Sequence, residues 1–519
     1  MDKSNLKKII TENLRIQKYG APTIQYIDTT KALDDIGARQ SHVIFARRGC
    51  GKTLLLETSA KNITKDTAVV YLNCEDYKNH SFPNVIIEVL DGALREIEKR
   101  FSGCMALIGK KKKAKKIISN IRKELSKLKE RPDEHQEQVK ESSQHEESVN
   151  AQAGASAEGF FSLSSGITDN NKAEIVKTYK VYDIKIEKLN HILPELKNKL
   201  KDFFELNSGI KNIYIQIDDF YHLQRELQPY VVDFIHRFCK NLPIYFKIAT
   251  LEHASNLYTE SNGQPIGAQH RHDYQPIRID FTFEDFKKTE DQVKKIFYKY
   301  GELAGGNENE IDALFKGDGF RRLILAGGGV PRDCLSLFLE ALDNATKSVD
   351  GKIGRDDIRN LSLSNHERIM RDLKEESQKD ELDPIIRGIY TIREFCLSEK
   401  SNVFVISEKL LQDNEKIQRL IYRLLDYKII HTVKTAFTHK SQQGVTFRAF
   451  MINIGHYANL RKLHGKMNEI DLASSDAKEK IRSAPILTEK KLNEFWSVVP
   501  QNPEEKILAD EQPINEEHL

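Results

Sequence analysis

A loop with two glycines, a lysine and a threonine follows the first short apolar run of the chain. Residues 45–54 have the sequence FARRGCGKTL. The glycines let the backbone curl so that successive N–H groups point at phosphate oxygens. A lysine here can reach the β- and γ-phosphates of a nucleotide, and a threonine hydroxyl can bind Mg²⁺. The predicted nucleotide-binding residues are Ala46, Arg47, Arg48, Gly49, Cys50, Gly51, Lys52, Thr53 and Leu54, with Thr53 also a metal ligand.

A pair of carboxylates ends a second apolar run, 213–217. Asp218 is predicted to hold the water shell of Mg²⁺. Asp219 is predicted to polarise the attacking water as a general base. A strand that ends in a polar turn is common by itself. Together with the glycine loop, the pair predicts a site that binds ATP and Mg²⁺ and supports hydrolysis.

Two more residues complete the predicted catalytic set of Asp219, Thr250 and Arg332. Thr250 ends the apolar run 244–249, where its hydroxyl can orient the lytic water. Pro331 is predicted at the first position of a helix, which puts Arg332 in the first turn. An arginine held there can reach the γ-phosphate. A surface arginine near a helix start is the alternative interpretation of Arg332.

Apolar runs separated by helix-length stretches must position these residues. The runs predict a covered parallel sheet, and hence an α/β P-loop NTPase fold. A helical pattern over 284–348, broken at 327–329, predicts a helical lid. The predicted domains are an ATPase domain at 1–283 with an insertion at about 100–205, a lid at 284–380, a winged-helix domain at 381–464, and a C-terminal helix and acidic tail at 465–519.

The insertion contains the basic run Lys110–Lys116, before a charged helix predicted over Ile117–Lys129. The polar, low-complexity stretch 130–158 predicts a mobile loop. A short strand is predicted at 160–167, and a helical pattern returns over 172–204. The lysines of the run can release counterions on binding DNA, or they are simply solvated.

The stretch from Asn402 to Ile452 predicts a winged helix. A short strand is followed by a helix capped by Ser407, a second helix capped by Asn414, and two wing strands with His439 and Lys440 near the tip. In such folds the second helix enters the DNA major groove. The predicted DNA contacts are Lys416, Arg419 and Arg423 on its polar face. The alternative is a winged helix that binds only protein.

Composition limits which classes of protein the chain can belong to: nucleic-acid-binding, disulfide- or zinc-containing, secreted and membrane proteins. The 519 residues carry a net charge of only +3, so a nucleic-acid surface must be a local patch. The six cysteines are scattered singly, which favours reduced thiols in the cytoplasm over disulfides or a zinc site. The N-terminus lacks a signal-peptide core, and no apolar run approaches the roughly 20 residues that span a bilayer.

The glycine loop, the carboxylate pair, Thr250 and the Arg332 segment follow one another along the chain. In this order they resemble the motifs of AAA+ ATPases, in the branch of origin-recognition-complex and cell-division-control-like initiators. Residues 46–53 resemble Walker A, with Ala46 in place of the first glycine, and 213–219 resemble Walker B. Thr250 matches sensor 1, and 329–332 match sensor 2. The likeness covers roughly 24–342 without the insertion. Asp218-Asp219 replaces the Asp-Glu of that branch and is more typical of STAND switch ATPases, which hydrolyse slowly.

The resemblance implies an ATP-binding, Mg²⁺-dependent ATPase that acts as an oligomeric, nucleotide-controlled switch on DNA. In a homo-oligomeric ring Arg271 or Arg278 would act in trans, although each is equally explained as a surface arginine. The alternative is a STAND-like ATPase of antiviral defence or signalling, whose winged helix binds a protein effector rather than DNA.

Overall fold

The computed structural model describes residues 2–15, 24–78, 80, 83–99, 109–129, 186–206, 209–261, 263–345, 351–376, 379–457 and 467–499. The predicted low-complexity loop, the strand at 160–167, the first part of the helix predicted over 172–204 and the acidic tail lie outside the described residues. Among the described helices, none is both long and apolar enough to cross a membrane.

A five-stranded parallel sheet forms the centre of the nucleotide-binding region. Its strand order is β2-β3-β4-β1-β7, and every neighbouring pair is parallel, so all carboxyl ends lie along one edge. The strands are β1 (His42–Phe45), β2 (Thr67–Asn73), β3 (Asn212–Asp218), β4 (Ile244–Thr250) and β7 (Gln275–Arg278). An antiparallel hairpin, β5 (Tyr258–Ser261) with β6 (Gln264–Gly267), lies between β4 and β7 in the chain.

Both faces of the sheet are covered, which explains why its strands are continuous apolar runs rather than alternating ones. All seven residues of β3 are buried. One face packs in a large cluster with α4 (Asn84–Lys99) and α7 (Gln228–Cys239), and the other packs on α2 (Ala32–Gly37) and α3 (Lys52–Asn62). The predicted α/β P-loop fold is confirmed.

The insertion packs against α4 through α5 (Gly109–Lys129) and α6 (186–206). Arg122 of α5 pairs with Asp91 and Glu98 of α4 at 2.8 and 2.6 Å. The prediction that the helix starts at Ile117 was wrong, because the lysine run forms the first two turns of α5. The apolar residues Ala114 and Ile118 are both buried and extend the helix through the basic stretch.

The helical lid follows the sheet. Its helices are α8 (Phe286–Leu303), α9 (Glu308–Asp312), α10 (Gly319–Ala326) and α11 (Pro331–Ala345), with α1 (Lys3–Asn13) packed on α8. The break predicted at 327–329 is present, and Gly328 and Gly329 have φ of 63° and 70°. Helix α11 begins at Pro331. Two long helices follow, α12 (Arg355–Glu376) and α13 (Lys379–Ser398).

The C-terminal module contains the predicted strand, helix pair and strand pair. Its sheet has the order β8-β10-β9. Ser407 and Asn414 cap their helices through hydrogen bonds from backbone N–H groups. The elements are β8 (Val403–Ser407), α14 (Glu408–Asp413), α15 (Glu415–Asp426), β9 (Ile430–His439), β10 (Gln442–Ile452), α16 (Ala477–Ile481) and α17 (Glu489–Val498).

A buried ion pair ties the lid to the end of this module. Arg322 of α10 donates two hydrogen bonds to Glu469, at 2.8 and 2.9 Å. The two side chains are only 6% and 10% exposed. Arg355 also donates to Glu469, so the carboxylate keeps one cation if Arg322 is lost.

We expect Arg322→Leu to lower the free energy of unfolding by about 2–4 kcal/mol, because Glu469 would stay buried with a half-exposed partner only. Urea denaturation measures the change. The matched control is Arg321→Leu: Arg321 is half-exposed, pairs with Glu290, and should change stability by less than about 1 kcal/mol. Equal losses in the two variants would contradict this account of the lid interface.

Candidate nucleotide-binding site

The glycine loop connects the carboxyl end of β1 to the start of α3. Gly49 and Gly51 have φ of 91° and 90°, in the left-handed region that favours glycine. A Cβ on Gly49 would lie 2.8 Å from Val330 of the lid, and the Gly49 carbonyl accepts a hydrogen bond from the Arg332 N–H at 3.3 Å. The loop is therefore curled and in direct contact with the lid.

The Lys52 ammonium lies inside this loop. Its Nζ donates to the carbonyls of Ala46 and Arg47 at 3.0 and 3.4 Å, and the residue is 5% exposed. Burial lowers the pKa of Lys52, and the carboxylates of Asp219 and Asp218 oppose that shift. A buried cation at the N-terminus of α3, beside a curled backbone, fits the phosphates of a nucleotide.

Asp218 ends β3 and is almost completely buried. Its carboxylate accepts hydrogen bonds from the Thr53 hydroxyl and from Tyr71, whose Oη lies 3.0 Å from Oδ2. Burial, followed by the neighbouring Asp219 charge, raises the pKa of Asp218 to about 6. A carboxylate beside a threonine hydroxyl is a donor set that suits Mg²⁺, which prefers oxygen ligands. The residues present therefore fit the ion.

Asp219 has an unusual backbone for a non-glycine residue, with φ 49° and ψ 41°. This left-handed conformation costs of order 1–3 kcal/mol and is concentrated at functional sites. A short 3₁₀ turn follows, in which Tyr221 places its ring 6.0 Å from the Lys52 ammonium. The predicted base thus lies where β3 ends, next to the loop lysine.

Thr250 and Arg332 approach the same loop from two other elements. Phe45 and Thr250 are register partners in β1 and β4, and the Thr250 carbonyl accepts from the Ala46 N–H at 3.3 Å. The Thr250 hydroxyl is hydrogen-bonded to Ser255. Burial lowers the pKa of Arg332, Asp333 opposes this, and Arg48 adds to it. The structure brings the four predicted motifs to one place.

Arg47 has a role that the sequence analysis missed. Its guanidinium donates to both carboxylate oxygens of Asp280, at 2.6 and 2.8 Å, and lies 3.0 Å from Nδ1 of His431. Burial raises the pKa of Asp280, but the charge and hydrogen bonds of Arg47 outweigh it and hold that pKa below its usual value. The Arg47 side chain is therefore directed at β7 and the C-terminal module.

Residues 422–431 of the C-terminal module contact three elements of the site. His431 of β9 contacts Arg47, and a Cβ on Gly328 would lie 2.4 Å from its ring. Lys428 forms a buried ion pair with Asp333 at 2.7 Å, one residue from Arg332. A third contact, at the loop after β4, joins Tyr422 to His253 by ring stacking at 4.3 Å and Asp426 to the backbone N–H groups of His253 and Ala254.

The predicted DNA-binding residues lie on α15 with unequal exposure. Arg419 is exposed and Lys416 is half-buried, whereas Arg423 lies over the Tyr427 ring at 5.3 Å. The turn between β9 and β10, which is the predicted wing tip, packs on residues 479–484. His439 is buried against the 484 carbonyl, and Lys440 pairs with Glu479 at 2.7 Å.

The two arginines considered for action in trans are both on the surface. Arg278 pairs with Glu252 at 2.6 Å, and Arg271 is exposed, with φ 66°.

The parallel sheet and the glycine loop between β1 and α3 define an α/β P-loop fold. No protein-family model matches the sequence, and no curated protein matches it. Similar solved structures include a Walker-type ATPase of Pyrococcus abyssi, with TM-score 0.36 and 11% identity over 84% of this chain and 96% of that one. The Drosophila origin recognition complex bound to DNA has TM-score 0.33 and 9% identity, over 88% and 93%. Aeropyrum pernix ORC1 in complex with DNA has TM-score 0.28 and 10% identity, over 89% and 92%.

Likenesses this distant identify neither a family nor an activity for this chain, so its function is argued from the site itself.

We expect Asp218→Asn to raise the free energy of unfolding without nucleotide by about 2–3 kcal/mol near pH 7.5. The folded-state pKa of about 6 lies above the ordinary value of 3.8, so the wild type loses stability as pH rises through that window. The neutral amide avoids this loss. Urea denaturation at several pH values should show the gain shrinking as pH falls through 6 towards 4.

Asp291→Asn is the control, because Asp291 is exposed on α8. A gain from Asp218→Asn that is equally large at both ends of the pH range would show that charge burial is not its cause.

Proposed function

We propose that the chain is an ATP-binding, Mg²⁺-dependent AAA+ ATPase that acts as an oligomeric, nucleotide-controlled switch on DNA. One observation supports the switch above all: residues 426–431 contact the loop after β4, the lid helix α11 and the glycine loop together. The glycine loop and α11 carry predicted site residues, and the loop after β4 directly follows Thr250. A nucleotide that moves any of these three elements changes the surface against which the C-terminal module packs.

The residues of the site have separable roles in this proposal. Lys52 and the N–H groups of the glycine loop bind the phosphates, while Thr53 and Asp218 hold Mg²⁺, which neutralises phosphate charge when bound. Asp219 orients and deprotonates the attacking water, and Thr250 fixes its position. Arg332 stabilises charge on the γ-phosphate from the lid.

The first prediction separates binding from hydrolysis. Lys52→Ala should abolish or greatly weaken ATP binding, because it removes the cation from the loop. Asp219→Asn should keep ATP bound but slow turnover by about 10²-fold or more, because it removes the base and not the metal ligand. Isothermal titration and steady-state hydrolysis measure the two effects.

Each variant serves as the control for the other, because one tests ATP binding and the other tests hydrolysis. A folded Lys52→Ala protein with wild-type affinity would refute the loop assignment, and unchanged turnover in Asp219→Asn would place the base elsewhere.

Coupling between the site and the C-terminal module is reciprocal if the switch exists. Lys428→Met should therefore change ATP affinity, by at least about 5-fold, although Lys428 does not lie in the glycine loop. It should also increase hydrogen exchange in β9, because Asp333 loses its buried partner. The double variant Lys428→Met, Asp333→Leu tests whether the isolated charge causes the effect.

Lys440→Met is the matched control, since its pair with Glu479 is exposed at the wing tip. If Lys428→Met and Lys440→Met left ATP affinity equally unchanged, the module would not report on the nucleotide.

A second candidate function is supported by a different observation. The wing tip packs on residues 479–484, and α15 is seated on the loop after β4. This arrangement favours a STAND-like ATPase whose module binds a protein effector. Stimulation of ATP hydrolysis by DNA discriminates between the two, because only the first candidate requires it.

A further inference from the structure

Helix α5 has one buried face and one strongly basic face. Its buried stripe comprises Ala114, Ile118, Ile121, Leu125 and Leu128, which pack with α4 and α6. Lys112, Lys116, Lys123 and Lys127 lie on the opposite side, at spacings of four, seven and four residues, and all are exposed. The basic face runs the length of the helix, about 31 Å at 1.5 Å per residue.

Most lysines of this helix have no acidic partner in the described part of the chain. Arg122 pairs with α4 acids and Lys129 with Glu88, and the single acid of the helix, Glu124, pairs with Lys199. Ion pairs therefore neutralise the side of α5 next to its neighbours. Among the described residues, no ion pair involves the run Lys110–Lys116, Lys123 or Lys127.

The clustered lysines destabilise helix α5. Cations in the first two turns lie at the positive end of the helix dipole. Lys111 and Lys115, like Lys112 and Lys116, are like-charge pairs at i and i+4, which destabilise a helix. The buried stripe holds the helix in place nevertheless. The outer charges therefore do not stabilise the helix.

We propose that the basic face of α5 binds the phosphate backbone of duplex DNA without reading its sequence. This face is defined by Lys112, Lys116, Lys123 and Lys127, together with the other lysines of the run Lys110–Lys116. The proposal deepens, and rests on, the proposed action on DNA. Lysines act as point charges that suit phosphates. The helix contains no aromatic residue on which an unpaired base could stack, so a duplex is favoured over a single strand.

The charge of the basic face and the buried apolar stripe of α5 together indicate what binds to this face. A membrane-surface helix needs a free apolar face, and the apolar face of α5 is occupied by α4 and α6. A helix of about 31 Å matches roughly nine base pairs of 3.4 Å, which carry evenly spaced negative charge along its length. The acidic sequence that follows α5 in the same chain is the competing occupant.

The test measures the salt dependence of binding to a duplex of about 20 base pairs, roughly twice the length of α5. Full-length protein is compared with the variant Lys112→Gln, Lys116→Gln, Lys123→Gln, Lys127→Gln. Loss of four phosphate contacts should lower the slope of log K against log salt by about 3–4 and weaken binding at least about tenfold near 100 mM salt. Wild type should bind the duplex more tightly than a single strand of the same length.

The matched control removes the same charge from another exposed helix face, by replacing Lys287, Lys288, Lys295 and Lys299 of α8 with Gln. ATP titration verifies that each variant is folded. Equal slopes for the α5 and α8 variants, or no duplex binding by wild type because the acidic sequence covers the lysines, would overturn the proposal.

The variant Lys416→Ala, Arg419→Ala, Arg423→Ala separates this proposal from the proposed function. If it alone loses duplex binding, α15 carries the DNA contact, so the α5 proposal falls while the DNA switch stands. Full loss only in the α5 variant supports the proposal.

Discussion

The buried contact between Arg47 and Asp280 is the interaction on which the arrangement of the site depends. Arg47 belongs to the glycine loop, Asp280 follows β7, and the guanidinium also reaches His431 of the C-terminal module. Two charges taken out of water are stabilising only when their geometry is good and their remaining polar atoms are bonded. Here both carboxylate oxygens, the Arg47 backbone N–H and the 281 carbonyl take part. The Arg47 side chain therefore joins the glycine loop, the edge of the sheet and the C-terminal module.

The same contact joins the site to the C-terminal module through His431. Asn453, which follows β10, places its side-chain nitrogen 3.2 Å from Nε2 of His431 and donates to the 326 carbonyl of the lid. Burial and the charge of Arg47 keep the pKa of His431 well below its usual value, and the ring stays neutral. A neutral imidazole has one N–H and one acceptor nitrogen, so it can accept a hydrogen bond from only one of Arg47 and Asn453 at a time. The contact therefore depends on the position of the loop, which is what the proposed nucleotide-controlled switch requires.

The sequence was sufficient for features that depend on local chemistry. Apolar runs predicted the parallel sheet, and Ser407, Asn414 and Pro331 marked helix starts, because capping and proline geometry are encoded within a few residues. The roles of Arg47, Tyr71 and His431 could not be predicted, since each depends on a partner more than 140 residues away. Asp280 did carry a signal, a carboxylate at the end of a short strand, like Asp218. The helix start was predicted at Ile117 instead of Gly109 because the charge of the lysine run hid the helical spacing of Ala114 and Ile118.

The left-handed backbone of Asp219 bears on how fast such a switch turns over. Its conformation is fixed from both sides, since the Asp219 N–H donates to Asp218 and its carbonyl accepts from His222 at 3.0 Å. An aspartate is one methylene shorter than the glutamate that the initiator-like branch carries, so a strained backbone is one way to carry its carboxylate towards the loop. In the proposed mechanism, the shorter reach of Asp219 is expected to make it a slower base than a glutamate. In the proposed switch, slow hydrolysis would leave the nucleotide bound for longer, and its binding energy would hold the C-terminal module in one of two positions.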